Sequence, residues 1–215
     1  MKREKVICAI CDEKNHFPIL QQQFVDEGLL LPAFCPDPEM LMESEILGII
    51  QECKDCGYTF PRIDEDTDIS KRVVKSEKYQ FPFGKEFEGK HEAVQCYRIA
   101  LTYSLIWCHT MAAQWFIYAA VLLGAEHKYL QQKCYRLAMN QFRNDFQEKK
   151  GKVRFEVRLA YLNTMRLLGK FDFVKELGTK EQFRYQGEER KLMEAVIRLA
   201  DEKNSDYILY FDMIS

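Results

Sequence analysis

Four cysteines come in two matched pairs, Cys8 and Cys11 in "CAIC" and Cys53 and Cys56 in "CKDC". Thiolate sulfur is a soft ligand that zinc takes in tetrahedral sets of four, and a CxxC turn sets two sulfurs on one side of an ion while nearby backbone NH groups hydrogen-bond to them. Two such turns complete a shell, so the expected cofactor is one zinc ion held by Cys8, Cys11, Cys53 and Cys56. The 41 residues between the knuckles exceed the usual zinc-ribbon gap, but an ion constrains distance in space and not along the chain. Four thiolates leave no coordination position for a substrate, which makes the expected chemistry structural and not catalytic. CxxC is also the spacing of a redox dithiol, a reading weakened by the lack of a surrounding βαβ pattern.

Other chemistry-bearing residues form weaker constellations. His16 and Cys35 are reserve ligands close to the knuckles. Cys96, Cys108 and Cys134 lie on or beside apolar helical stripes, where a free thiol acts as a small hydrophobe. Cys108 and His109 are adjacent in "WCHT", but neighbours on a helix point about 100° apart and make no nucleophile and base pair unaided. "DEDTDIS" starts like a calcium loop, yet its sixth position is Ile69 where the loop turns on glycine and its twelfth is Lys75 where it needs a bidentate Glu. "HEAVQ" lacks the second histidine of a zinc-protease helix, and no phosphate loop, dinucleotide fingerprint or GxSxG is present. No catalytic residue is therefore assigned, and the chain reads as a non-enzyme.

Composition narrows the partners. With 215 residues, 47% of them hydrophobic, the chain can bury one large or two small cores without disulfides. Lys and Arg number 31 against 33 Asp and Glu, a net charge of −2, so no global field attracts phosphates and nucleic-acid binding would need a local patch. Basic stretches at Lys71 to Lys75 and at Lys149, Lys150, Lys152 and Arg154 have acids close by and read as solvated faces. The apolar run from Val6 to Cys11 is too short for a signal-peptide core, which points to a reducing cytoplasm in which eight cysteines favour metal binding or buried thiols. From Ile99 to Ala125 no Asp, Glu, Lys or Arg occurs, long enough on paper for a membrane span; the polar Thr102, Ser104, His109, Thr110 and Gln114 within it favour a buried helical pair.

The elements that must position the knuckles differ between the two ends of the chain. Residues 1–63 hold five of the eight cysteines and five of the six prolines, a composition of short strands and loops. Ile46, Leu47, Ile49 and Ile50 predict a strand delivering the chain into Cys53. Residues 64–88 read as a charged linker whose second half, with Phe81, Phe83 and Phe87, packs down. Residues 89–215 are helical by period: "HEAVQCYRIALTYSL", "TMAAQWFIYAAVLLG", "EHKYLQQKCYRLAMNQFRNDF", "VRFEVRLAYLNTMRLLG", "FDFVKELG" and "EERKLMEAVIRLADEK" place apolar residues three and four apart. Gly124 and Gly169 mark helix ends. "AYLNTMRLLGKFDFVKEL" has the small residue, aromatic and turn of a tetratricopeptide (TPR) unit, although no clean 34-residue period runs through the chain. The apolar tail "DYILYFDMIS" must pack or form an interface.

In order, an N-terminal CxxC, an apolar run into "CKDCGY", a charged segment and TPR-like helices around "YLNTMRLLGKFDFV" resemble a family of uncharacterised bacterial cytosolic proteins, a domain of unknown function. Cys8, Cys11, Cys53, Cys56, Gly57 and Tyr58 match its knuckles. The departures are Lys54 and Asp55, where the family has a proline-containing knuckle, and Asp12, where glycine is common. The resemblance implies architecture and says little about function. The expectation is then a mainly α protein: a zinc-ribbon-like α+β module followed by a TPR-like antiparallel helical stack. Its helical face would bind a protein or peptide, and the tail would offer a self-association surface. A nucleic-acid-associated zinc ribbon and a redox sensor that releases zinc on oxidation are the alternatives.

Overall fold

The computed structural model describes residues 3–18, 41 and 45–206. Two antiparallel hairpins come first. β1 (Arg3–Ile7) pairs with β2 (Lys14–Pro18), Val6 facing Asn15 across the ladder. A helical turn, α1 (Glu45–Gly48), leads to the second hairpin, in which β3 (Gln51–Glu52) pairs with β4 (Thr59–Phe60). Each CxxC unit occupies the connection of its own hairpin. The expected strand through Ile46 to Ile50 does not form: the chain turns helically there, Ile50 donating its NH to the carbonyl of Leu47, and only Gln51 and Glu52 are extended. Apolar residues at 46, 47 and 50 satisfy a helical spacing as well as a run of strand, and so short a segment does not distinguish the two periods.

Residues 64–88 hold two short helices, α2 (Lys71–Val74) and α3 (Glu77–Gln80), each started by a serine, Ser70 or Ser76, whose side chain accepts from the backbone NH three residues on. The segment packs over more of its length than its charge implies, with Thr67, Ile69, Val74 and Tyr79 buried. Phe83 sits edge-on to Tyr97 at 5.1 Å and against Phe87 at 5.0 Å, whereas Phe81 stays exposed.

Among the described residues six longer helices follow: α4 (His91–Leu105), α5 (His109–Leu123), α6 (Lys128–Glu148), α7 (Phe155–Leu167), α8 (Phe171–Glu181) and α9 (Gly187–Asp201). Each packs on the next, and α9 also reaches back to α7. The charge-free run is cut in two by Ile106 to Cys108, where Trp107 adopts φ +62°. Its second half, α5, is buried almost all round because α4 and α6 flank it, which explains an apolar pattern without a polar face. Among the described residues no helix is long and apolar enough to cross a membrane.

A group of charged and amide side chains fastens the second hairpin to α4. Arg98, only 6% exposed, donates from Nη1 to Glu52 Oε1 at 2.7 Å, from Nε to the carbonyl of Tyr79 at 3.1 Å and from Nη2 to that of Gln80 at 2.9 Å. His91 Nε2 and Gln95 Nε2 lie 2.7 and 2.8 Å from Glu52 Oε2. Burial alone would raise the Glu52 pKa, but the Gln95 hydrogen bond and the charges of Arg98 and His91 bring it below the usual glutamate value. Removing one member of such a pair leaves its partner without compensation. Arg98→Ala should therefore lower the unfolding free energy by about 3 kcal/mol, measured by equilibrium urea denaturation.

Candidate metal centre

The two hairpins bring Cys8, Cys11, Cys53 and Cys56 together, their sulfur atoms all within 4.8 Å of one another, close enough to hold a metal ion. Cys8 Sγ lies 3.7 Å from Cys56 Sγ and Cys11 Sγ lies 3.5 Å from Cys53 Sγ. Both contacts run between hairpins, so neither knuckle closes the cluster alone. Cys8, Cys53 and Cys56 are buried and Cys11 is partly exposed.

The knuckles have two backbone hydrogen bonds in common. The NH of Cys8 donates to the carbonyl of Glu13 at 3.0 Å, and that of Cys53 to Tyr58 at 2.8 Å. The NH groups of Asp12 and Gly57 return to the carbonyls of Cys8 and Cys53, each at 2.9 Å. The residue after the second cysteine must take a left-handed conformation for this return, and Asp12 and Gly57 do so at φ +63° and +71°. Glycine adopts it freely, while aspartate is among the few other residues that tolerate it. The departure of Asp12 from a glycine knuckle thus preserves the turn. Gly57 has a second reason to lack a side chain, since a Cβ there would fall 2.9 Å from Gln80 Oε1.

Backbone NH groups point at the sulfurs. Burial would raise the Cys53 thiol, but hydrogen bonds from the NH groups of Cys56 and Asp55 and from the Asn15 side chain bring its pKa down to about 7. Cys11 is pushed up to about 11, by burial and by Cys53, against the NH of Glu13. Cys56 is raised by burial, against the NH of Tyr58. The NH of Glu13 and the NH of Tyr58 stand two residues after the second cysteine of their respective knuckles. These donors favour thiolate, the form a cation requires.

Asn15 joins the hairpins and has no counterpart in the expected ligand set. Buried on β2, it donates from Nδ2 to Cys53 Sγ at 3.5 Å and to the carbonyl of Glu13 at 3.0 Å, while its Oδ1 accepts the NH of Lys54 at 3.1 Å. Lys54 Nζ also pairs with Glu13 at 2.8 Å. An asparagine four residues past a knuckle carries no distinguishing sequence signal. Glu52, directly before Cys53, and its partner Arg98 were equally hidden, because Arg98 sits inside an otherwise apolar helical pattern.

The reserve ligands are not recruited: His16 is exposed on β2, outside the cluster, and Cys35 lies outside the described residues. Cys96 and Cys134 are buried thiols, the second pushed up to about 12 by burial, and Cys108 is half-buried and also raised by burial. His109 Nδ1 lies 2.7 Å from Gln141 Oε1, and Gln141 Nε2 donates to Ser104 Oγ at 2.7 Å, a network that excludes Cys108. The basic Lys149 pairs with Asp145 at 2.7 Å.

Supporting residues around a metal centre typically change affinity by 10- to 100-fold. Asn15→Ala should weaken metal retention within that range, roughly 10-fold or more, in competition with a chromogenic chelator, while leaving metal stoichiometry unchanged. Compared with known proteins, the chain matches no family model, no curated protein and no solved structure.

Proposed function

We propose that the chain is a non-enzymatic zinc-binding protein in which Cys8, Cys11, Cys53 and Cys56 hold one structural Zn²⁺ and the helices mediate a protein interaction. The sulfur geometry carries this reading. A tetrahedron with Zn–S bonds of about 2.3 Å has edges of about 3.8 Å, and the two inter-hairpin sulfur separations, 3.5 and 3.7 Å, are near that edge. Two hairpins, each with its cysteines at the turn, make a zinc-ribbon-like module. The helix–turn–helix of α7 and α8, turning at Gly169 with φ +71°, supports the TPR-like reading of the helical part. Unequal helix lengths make it an irregular stack.

The partner surface in this proposal lies where α2, α3 and the end of α4 meet. An open cleft of about 380 Å³ there is lined by Val73, Tyr79, Leu101 and Leu105 with Arg72 and Lys78. A neighbouring cleft shares Val73 and Leu105 and extends to Trp107. Leu105 is 50% exposed and Trp107 75%, an apolar surface of the type proteins use for recognition.

Metal analysis by mass on the native protein should return one zinc per chain; zero would overturn the metal reading. A structural zinc contributes on the order of 10 kcal/mol or more to the folding of a small module. Cys53→Ser should accordingly abolish the ordered amide signals of the hairpins while the helical far-ultraviolet signal persists. For the interaction, Trp107→Ala should remove the proteins that the wild-type chain captures, without altering zinc content. Capture unaffected by Trp107→Ala would place the partner elsewhere.

A further inference from the structure

The cleft between α2, α3 and the end of α4 constrains the chemistry of what can fill it. Val73, Tyr79, Leu101 and Leu105 make its centre apolar. The neighbouring cleft, of about 500 Å³, continues the surface past Leu105 to the exposed Trp107.

The polar groups of the first cleft are either engaged or donors. The Tyr79 hydroxyl accepts the NH of Thr59 at 3.1 Å. Ser76 Oγ donates to the carbonyl of Val73 at 2.6 Å and accepts the NH of Tyr79 at 3.3 Å. Ser104 is different. Its Oγ accepts from Gln141 Nε2 at 2.7 Å, and Gln141 is itself aligned by His109, whose Nδ1 lies 2.7 Å from Oε1. With its oxygen so engaged, the Ser104 hydroxyl has its hydrogen left to donate, and no acceptor takes it among the described residues.

Charge points the same way. Arg72 and Lys78 line the cleft, both exposed, and neither has an ion pair among the described residues. Lys71 and Lys75 are exposed on the same short stretch. Glu77 is drawn to Lys85 at 3.2 Å and is not among the lining residues. Asp68 belongs to the neighbouring cleft, away from Arg72 and Lys78 in the lining. The complement of such a surface is apolar at its centre, rich in acceptors and negatively charged.

We propose that this cleft binds an acidic peptide segment of another protein, with an apolar side chain among Val73, Tyr79, Leu101 and Leu105, carboxylates on Arg72 and Lys78, and a peptide carbonyl on Ser104. The inference rests on the partner surface proposed above and adds the partner's chemistry. A fatty acid would leave its chain wet in clefts this open, whereas a peptide brings apolar and acidic groups in turn along the two joined clefts. Opposite charge at the rim steers the encounter and rejects basic segments.

Selection of a displayed random-peptide library on the native full chain tests the assignment. The selected peptides should carry Asp or Glu beside a Leu or an aromatic residue. A fluorescein-labelled selected peptide should bind the Arg72→Glu, Lys78→Glu double variant about tenfold more weakly, because two attractive pairs become repulsive. Both side chains are exposed, so the variant should keep the helical far-ultraviolet signal. Selected peptides without acidic residues, or binding weakened by Leu105→Ala and untouched by the charge reversal, would keep the partner surface and overturn its acidic occupant. Binding indifferent to both substitutions would overturn the occupant and the surface together. A labelled oligothymidylate that binds the wild type and is lost from the charge-reversed variant would assign the rim to nucleic acid and likewise overturn the proposal.

Discussion

Two hairpins this small cannot hold themselves together. The second has two paired residues per strand, and the first, although longer, exposes most of its side chains. They converge at four sulfurs, and the contacts of Cys8 with Cys56 and of Cys11 with Cys53 run from one hairpin to the other. That arrangement makes the two knuckles a single object. Asn15 and the Lys54–Glu13 pair reinforce the same seam, and two backbone bonds of one turn have their equivalents in the other.

The second hairpin is in turn seated on the helices. Tyr79 accepts the NH of Thr59 at its hydroxyl, Gln80 donates to the carbonyl of Cys56, and Arg98 gathers Glu52 and the end of α3. Phe60 packs against Tyr103 of α4, the ring centroids 4.9 Å apart and the planes tilted by 46°. The segment between hairpins and helices acts as packing material, with Tyr79 as its centre. Polar groups do much of this joining, and they are satisfied where they are buried, as a low-dielectric site demands.

Much of this was legible in the residues. The cysteine spacing identified all four members of the cluster, since CxxC states a local turn that owes little to distant context. Helix α4 was readable from its period, although the apolar spacing runs on to Cys108 past its end at Leu105, and Gly124 and Gly169 mark stops because each has a positive φ. What escaped was set by tertiary contact. Ile46 to Ile50 offered too few residues to separate a helical turn from a strand. Leu105 fits the apolar stripe by spacing yet faces outward, because Trp107 ends the helix just beyond it. Arg98 and Asn15 have roles that exist only once partners many positions away are in place. The tail after Asp206, expected to pack or to join copies, lies outside the described residues.

The junction at Arg98 has a thermodynamic corollary. The carbonyl of Cys56 is held by Gln80, and Glu52, the residue before Cys53, is held by α4. Anything that steadies α4 therefore also steadies the backbone that aims two of the sulfurs. Coupling between two binding events is reciprocal: were an ion held by the sulfur cluster, a ligand that favours the ordered helix would raise the cluster's affinity for it by the same factor by which the ion would raise the ligand's affinity. On the function proposed above, metal retention would then be a readout of engagement at the helices.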